Sequence, residues 1–135
     1  MLIAGFYAAL GALLIVALGV RVMWLRNTRR VGLGAGGDAV LARAIRAHAN
    51  AAEYLPIALL LLVLLALEQT RPGLLHMFGI VLIVARILHA IGLSTASGRS
   101  LGRIAGIGLT VAVIIAMAIL LIVRFALVNA AGIAG

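Results

Sequence analysis

Residues 43–56, RAIRAHANAAEYLP, carry two arginines, a histidine, an asparagine, a glutamate and a tyrosine just ahead of the apolar block IALLLLVLLAL. These side chains are suited to gripping charge. A guanidinium offers a planar fork of donors that fits a carboxylate in a bidentate way. An asparagine amide adds both a donor and an acceptor. A glutamate can receive a substrate ammonium or orient an arginine. A helix turns by about 100° per residue. With Arg46 at zero, Asn50 falls at about 40°, Glu53 at about −20°, Arg43 at about 60° and Tyr54 at about 80°. The five form one stripe, and His48 lies on the opposite face. Further along, Arg86, His89 and Leu93 share a helical face at i, i+3 and i+7. Arg99 and Arg103 follow within one connection.

Two readings of these groups are open. In the first, Glu53 pairs with Arg86 or Arg46 and locks two helices together, while Arg43 extends to the membrane surface along its apolar stem. In the second, the stripe lines a wet cavity for an anion. It holds more donors than one glutamate can satisfy, and Arg46, Arg86, Arg99 and Arg103 can surround the space. The ligand that fits is a small zwitterion with excess negative charge. An ionisable group inside a bilayer costs about 2.5–3.5 kcal/mol on insertion scales, so such groups persist when paired or when they face water.

The elements that carry them are membrane spans. The chain has 135 residues and is 66% hydrophobic, against about 45–50% for soluble domains. Its mean hydropathy is +1.32. A soluble core of this size cannot hide so much apolar surface, so the expected solvent is lipid. There is no cysteine, hence neither a disulfide nor a thiolate metal site, and no metal is expected. The net charge is +8, and every basic side chain is arginine. In a soluble domain that charge would suggest nucleic acid. Here the arginines flank apolar runs, so membrane lipids are the expected partner and nucleic acid is not. An arginine-only, Ala- and Gly-rich chain fits a GC-rich bacterial genome.

Residues 1–20 and 104–123 carry no charge, and each has about the length that a spanning helix needs. Two further clean runs, Tyr54–Leu67 and Pro72–Ala85, are too short to span alone. The second span must therefore include the polar stripe, and the third must continue past Arg86 and His89. The expectation is an all-α integral membrane protein with one domain over residues 1–135. Its four-helix bundle has spans at about 2–26, 38–68, 73–97 and 101–128. Asp38 reads as an N-cap and Pro72 as a first-turn proline, while Pro56 is expected to kink the second span. The GLGAGG run at 32–37 lacks the preceding strand and following lysine of a nucleotide loop, so it reads as a turn. Two GxxxG spacings, Gly98–Gly102 and Gly102–Gly106, permit close helix packing. The first loop carries Arg26, Arg29 and Arg30, and the third carries Arg99 and Arg103. By the positive-inside rule both lie in the cytoplasm, which places both termini outside. The N-terminus has no basic segment before its apolar run, which fits an N-out first helix rather than a cleaved signal peptide.

The arrangement R-x-x-x-N-x-x-E-[YF]-x-P, here Arg46, Asn50, Glu53, Tyr54 and Pro56, resembles the MAPEG family, the membrane-associated proteins of eicosanoid and glutathione metabolism. The family includes microsomal glutathione transferases, leukotriene C synthase and microsomal prostaglandin E synthase. The resemblance covers nearly the whole chain, including the charged first loop and ARILHAIGL in the third span. It implies a homotrimer in a bacterial inner membrane, with glutathione or a similar thiol as cosubstrate, bound between subunits towards the cytoplasm. It implies a transferase or peroxidase acting on a lipophilic small-molecule electrophile. Arg46, Asn50, Glu53 and Tyr54 would contact glutathione, and Arg86 and His89, one turn apart on the third helix, would join them. His48 would face the neighbouring subunit's site, and Arg26 would act from an adjacent subunit. The thiolate-activating arginine of the family opens the fourth helix. Arg99 and Arg103 both qualify, and GRIAGIGLT favours Arg103. Leu93 stands where eicosanoid-producing members carry tyrosine, which removes a hydroxyl from the site.

Two rival functions have their own signatures. A small multidrug exporter also has four spans, but it places an essential glutamate in its first helix, and this first helix has no carboxylate. A non-catalytic bundle protein would use the polar stripe only as a lock between helices.

Overall fold

The computed structural model describes residues 1–95, 98 and 100–133. Four helices follow one another: α1 (Leu2–Arg29), α2 (Ala39–Leu67), α3 (Pro72–Thr95) and α4 (Leu101–Ile133). All four are long and apolar enough to cross a membrane. The chain is thus a four-helix membrane bundle, as its apolar runs predict. α1 continues three residues beyond the expected end, and α4 continues to Ile133. Residues 96 and 97, at the expected end of the third span, lie outside the described residues.

Local chemistry sets the helix ends. Arg30 adopts a left-handed conformation (φ 55°), and its N–H returns to Arg26 O and Asn27 O, which closes α1. Asp38 caps α2 through Oδ1, which accepts from Val40 N at 2.8 Å and Leu41 N at 2.9 Å. Its other oxygen meets Arg29 Nε at 3.3 Å, tying the two ends of the first loop together. Between them Gly34, Gly36 and Gly37 all have positive φ, so GLGAGG is a turn. α2 runs without interruption past Pro56, and the expected kink does not break it. Pro72 opens α3, where its missing N–H costs nothing.

α2 and α3 touch each other and both outer helices, while α1 and α4 make no contact among the described residues. α2 and α3 therefore form the inner pair and hold the larger buried share. The core is apolar and closely packed, with Leu55, Leu62, Leu82 and Met117 all fully enclosed. Tyr7 of α1 lies over Gly79 of α3, where no side chain could fit, and its hydroxyl meets His76 Nδ1 at 2.9 Å. At the same end of the bundle Arg124 Nη1 donates to Thr70 Oγ1 at 2.7 Å and approaches Glu68 Oε2 at 3.4 Å. These contacts fasten α4 to the α2–α3 turn.

α3 and α4 approach most closely near the first-loop end. A Cβ on Gly106 would stand 2.6 Å from Ala85 O and His89 N. Gly102 lies similarly under Leu88 O. The Gly102–Gly106 pair thus does what small-residue spacing permits, bringing two backbones together. Ser100 joins them: its Oγ donates to Gly92 O at 3.1 Å and accepts from Arg103 N at 3.3 Å, capping α4.

Candidate functional site

The close α3–α4 contact has beside it a cavity of about 370 Å³ that α2 also walls. Its wall is Arg46, Asn50 and Tyr54 from α2, His89 and Leu93 from α3, and Arg103, Ile104 and Ile107 from α4. Each side chain arrives there for a local reason. Arg46, Asn50 and Tyr54 are one turn apart, so α2 presents them as a column. His89 and Leu93 form the same kind of column on α3. Arg103 sits in the first turn of α4, where the Ser100 cap and the Gly106 contact fix its backbone.

Two guanidiniums, an amide, an imidazole and a phenol thus share one space, and among the described residues no Asp or Glu lines it. Such a donor set suits carboxylates and a thiolate. Behind the cavity lies Arg86, fully buried. Its Nη2 donates to Asn50 Oδ1 at 2.8 Å and stands 3.5 Å from His89 Nδ1. Its guanidinium carbon is 5.7 Å from the Tyr54 ring centroid. Arg86 Nε and Nη1 are buried, with no hydrogen-bond partner among the described residues. Among the described residues no carboxylate pairs with it. The Arg86–Glu53 lock that the sequence allows therefore does not form. Glu53 lies on the exposed face of α2, and among the described residues it forms an ion pair with Arg46 alone, Nη1 to Oε1 at 4.0 Å.

A cavity built from R-x-x-x-N-x-x-x-Y on one helix and His89 on the next, with Arg86 buried behind them, is specific enough to compare with known proteins. The sequence model of the MAPEG family matches residues 4–123. The chain belongs to the MAPEG family. It is also similar to the inner membrane protein YecN of Escherichia coli strain K12, 38% identical over 91 residues that cover 67% of this chain and 70% of that protein. The YecN of Escherichia coli O6:H1 matches to the same extent.

Within this MAPEG chain the stripe and its neighbours divide. Arg46, Asn50, Tyr54, His89 and Arg103 come together within the single chain, while Arg86 stands behind them. Glu53 does not line the cavity. Arg43 turns away, and its Nε donates to Ser94 O at 3.4 Å. His48 lies against Gly19, in a separate apolar groove between α1 and α2 with Ile15, Val16 and Val20. Arg26 lies in the last turn of α1, and its Nη1 donates to Gly32 O of the first loop at 3.1 Å. Arg99 lies outside the described residues. Leu93 does line the cavity, so its lack of a hydroxyl falls at the site itself.

Three features escape the sequence reading. Ser100 caps the helix that carries Arg103, and a serine just ahead of an apolar run is a signal that could have found it. Ile104 and Ile107 give the cavity an apolar side, which the helical spacing from Arg103 foreshadows. Arg21 Nη1 donates to Ser94 Oγ across 73 residues, and no local pattern announces that contact.

Proposed function

We propose that this MAPEG protein is a membrane-embedded, glutathione-dependent transferase or peroxidase that acts on lipophilic electrophiles. The observation that carries the reading is the donor-rich cavity: Arg46, Asn50, His89 and Arg103 converge from three helices, and among the described residues no carboxylate lines it. Glutathione fits this donor set because it bears two carboxylates and an ionisable thiol. When bound, it supplies the nucleophilic sulfur.

The chain's residues would act as follows. Arg46 and Asn50 hold carboxylate oxygens and set the ligand's orientation, which removes much of the entropic cost of the encounter. Arg103 donates to the sulfur and favours the thiolate, the reactive form. Its role is electrostatic, because a guanidinium keeps its proton at neutral pH. Ile104 and Ile107 offer the apolar side from which a bilayer-dissolved electrophile arrives.

The functional unit is a homotrimer in a bacterial inner membrane, with the arginine-rich first-loop end in the cytoplasm. Two features support the oligomer. Arg46 and Glu53 are charged and more than half exposed on a membrane helix, a surface that lipid does not solvate well. His48 and Arg26 lie away from the cavity of their own protomer, so a neighbour's cavity is where they would serve. In that setting Glu53 would receive the ligand's ammonium at the subunit boundary.

The test is ultraviolet absorbance of the glutathione thiolate on titration into detergent-purified protein. Wild type gains a thiolate band at neutral pH, and Arg103→Ala loses most of it while retaining most of the binding. An unchanged band in Arg103→Ala defeats the assignment of Arg103. A second reading, a bundle with a purely structural polar stripe, draws on the Arg86–Asn50 bond, which joins α2 to α3 whether or not a ligand is present.

A further inference from the structure

We propose that Arg86 is a positioning residue: from behind the cavity it turns Asn50 and His89 so that both offer N–H groups to the ligand. The inference rests on the glutathione reading above and assigns Arg86 a part that does not involve touching the ligand. Arg86 is fully buried and absent from the cavity wall, yet Asn50, Tyr54 and His89, which do form the wall, all adjoin it.

An amide has one accepting and one donating end. Arg86 Nη2 occupies the accepting end of Asn50 at 2.8 Å. The Nδ2 hydrogens are then left for the cavity. His89 is set by the same nitrogen. A guanidinium carries donors only, so His89 Nδ1, 3.5 Å from Arg86 Nη2, is the accepting nitrogen. The ring proton therefore sits on Nε2. At 3.5 Å this contact is long for a hydrogen bond, and its importance lies in fixing polarity rather than in strength. With Arg46 and Arg103, the wall then presents four donor groups. His89 holds the ligand through a donated proton and takes none from the thiol.

The burial of Arg86 agrees with this role. A cation enclosed without a carboxylate partner is costly, and two of its nitrogens have no hydrogen-bond partner among the described residues. A residue kept for packing alone would be better served by an apolar side chain of similar size. The single nitrogen that meets both acceptors also means that a lysine ammonium can replace it in part.

Histidine-selective ¹⁵N spectra of ligand-free protein in micelles test the inference, with His89→Gln identifying the His89 signal. Wild type and Arg86→Lys are expected to show a His89 ring protonated on Nε2, and Arg86→Met a mixture of tautomers. Glutathione titrations of the same proteins should show Kd raised about tenfold or more in Arg86→Met and about threefold or less in Arg86→Lys. A wild-type ring protonated on Nδ1, or a tautomer indifferent to Arg86→Met, overturns the inference. So does glutathione binding equally to wild type and Arg86→Met, which leaves the glutathione reading intact. Expected spectra with no glutathione binding to any variant support the positioning of His89 and defeat the glutathione reading. Should Arg86→Met fail to fold, the wild-type and Arg86→Lys spectra still decide.

Discussion

Arg86 Nη2 and Asn50 Oδ1 meet at 2.8 Å, joining α3 to α2 in the middle of the bundle by a charge-assisted hydrogen bond rather than an ion pair. Hydrogen bonds to charged groups contribute about 1.5–3 kcal/mol, and breaking one leaves the survivor buried and unsatisfied. A double-mutant cycle with Arg86→Met and Asn50→Leu should therefore show coupling of about 1.5–3 kcal/mol in unfolding free energy. The double variant should be more stable than the sum of the single losses predicts. Strict additivity in detergent unfolding would mean that the bond carries no weight.

The α3–α4 approach gives a second prediction, with an internal control. A Cβ on Gly106 would lie 2.6 Å from two backbone atoms of α3, whereas one on Gly108 meets nothing within 4 Å. Gly106→Ala is expected to destabilise the protein by about 1–3 kcal/mol, the usual cost of overpacking. It should also weaken ligand binding, because Arg103 and His89 hold their spacing through this contact. Gly108→Ala should be neutral in both respects. Melting temperatures and glutathione titrations of the two variants check the contrast.

The first loop supplies a pH dependence. The Leu41 N–H bonded to Asp38 holds its carboxyl below the usual range; partial burial opposes this, while the Val40 N–H, Arg29 and Arg43 add to the lowering. A folded-state pKa below the unfolded value means that the stabilisation is present in full above the unfolded pKa of about 3.9 and disappears as pH falls through the folded one. Thermal unfolding scanned downward from about pH 6 should show wild type losing stability below about pH 4, where Asp38→Asn, which lacks the charge, loses less. Parallel curves for the two proteins would contradict the assignment.

How far the sequence carried these conclusions varies by residue. The four helices were legible because membrane spans announce themselves by length and apolarity, and each polar break between them has recognisable turn chemistry. Arg46, Asn50 and Tyr54 line one wall of the cavity, since a spacing of four puts them in one column whatever lies opposite. Glu53 and Arg43 share that stripe by angle yet leave the cavity, one for the exposed face and one for Ser94. A helical wheel fixes relative direction but not which neighbour a side chain finds. The position of Arg86 behind its partners and the Arg21–Ser94 contact depend on how α1, α2 and α3 pack, which no single helix encodes.

Binding itself can be read as stability. Any ligand that binds only the folded bundle raises its unfolding free energy, by about 2.7 kcal/mol at 100 times Kd. Glutathione and S-methylglutathione should both raise the melting temperature of wild type, because the carboxylates provide most of the grip. A simple dicarboxylate at equal concentration should give a smaller shift. Equal shifts from all three would mean that the cavity recognises charge alone.

Calorimetric titration of glutathione into detergent-purified wild type, Arg46→Ala and Arg124→Ala tests the central claim most directly. Arg124 lies at the opposite end of the bundle, bonded to Thr70, and has no part in the cavity. Saturable binding to wild type and Arg124→Ala, weakened at least about tenfold in Arg46→Ala, is the predicted result. No binding to wild type, or equal binding to all three, would contradict it.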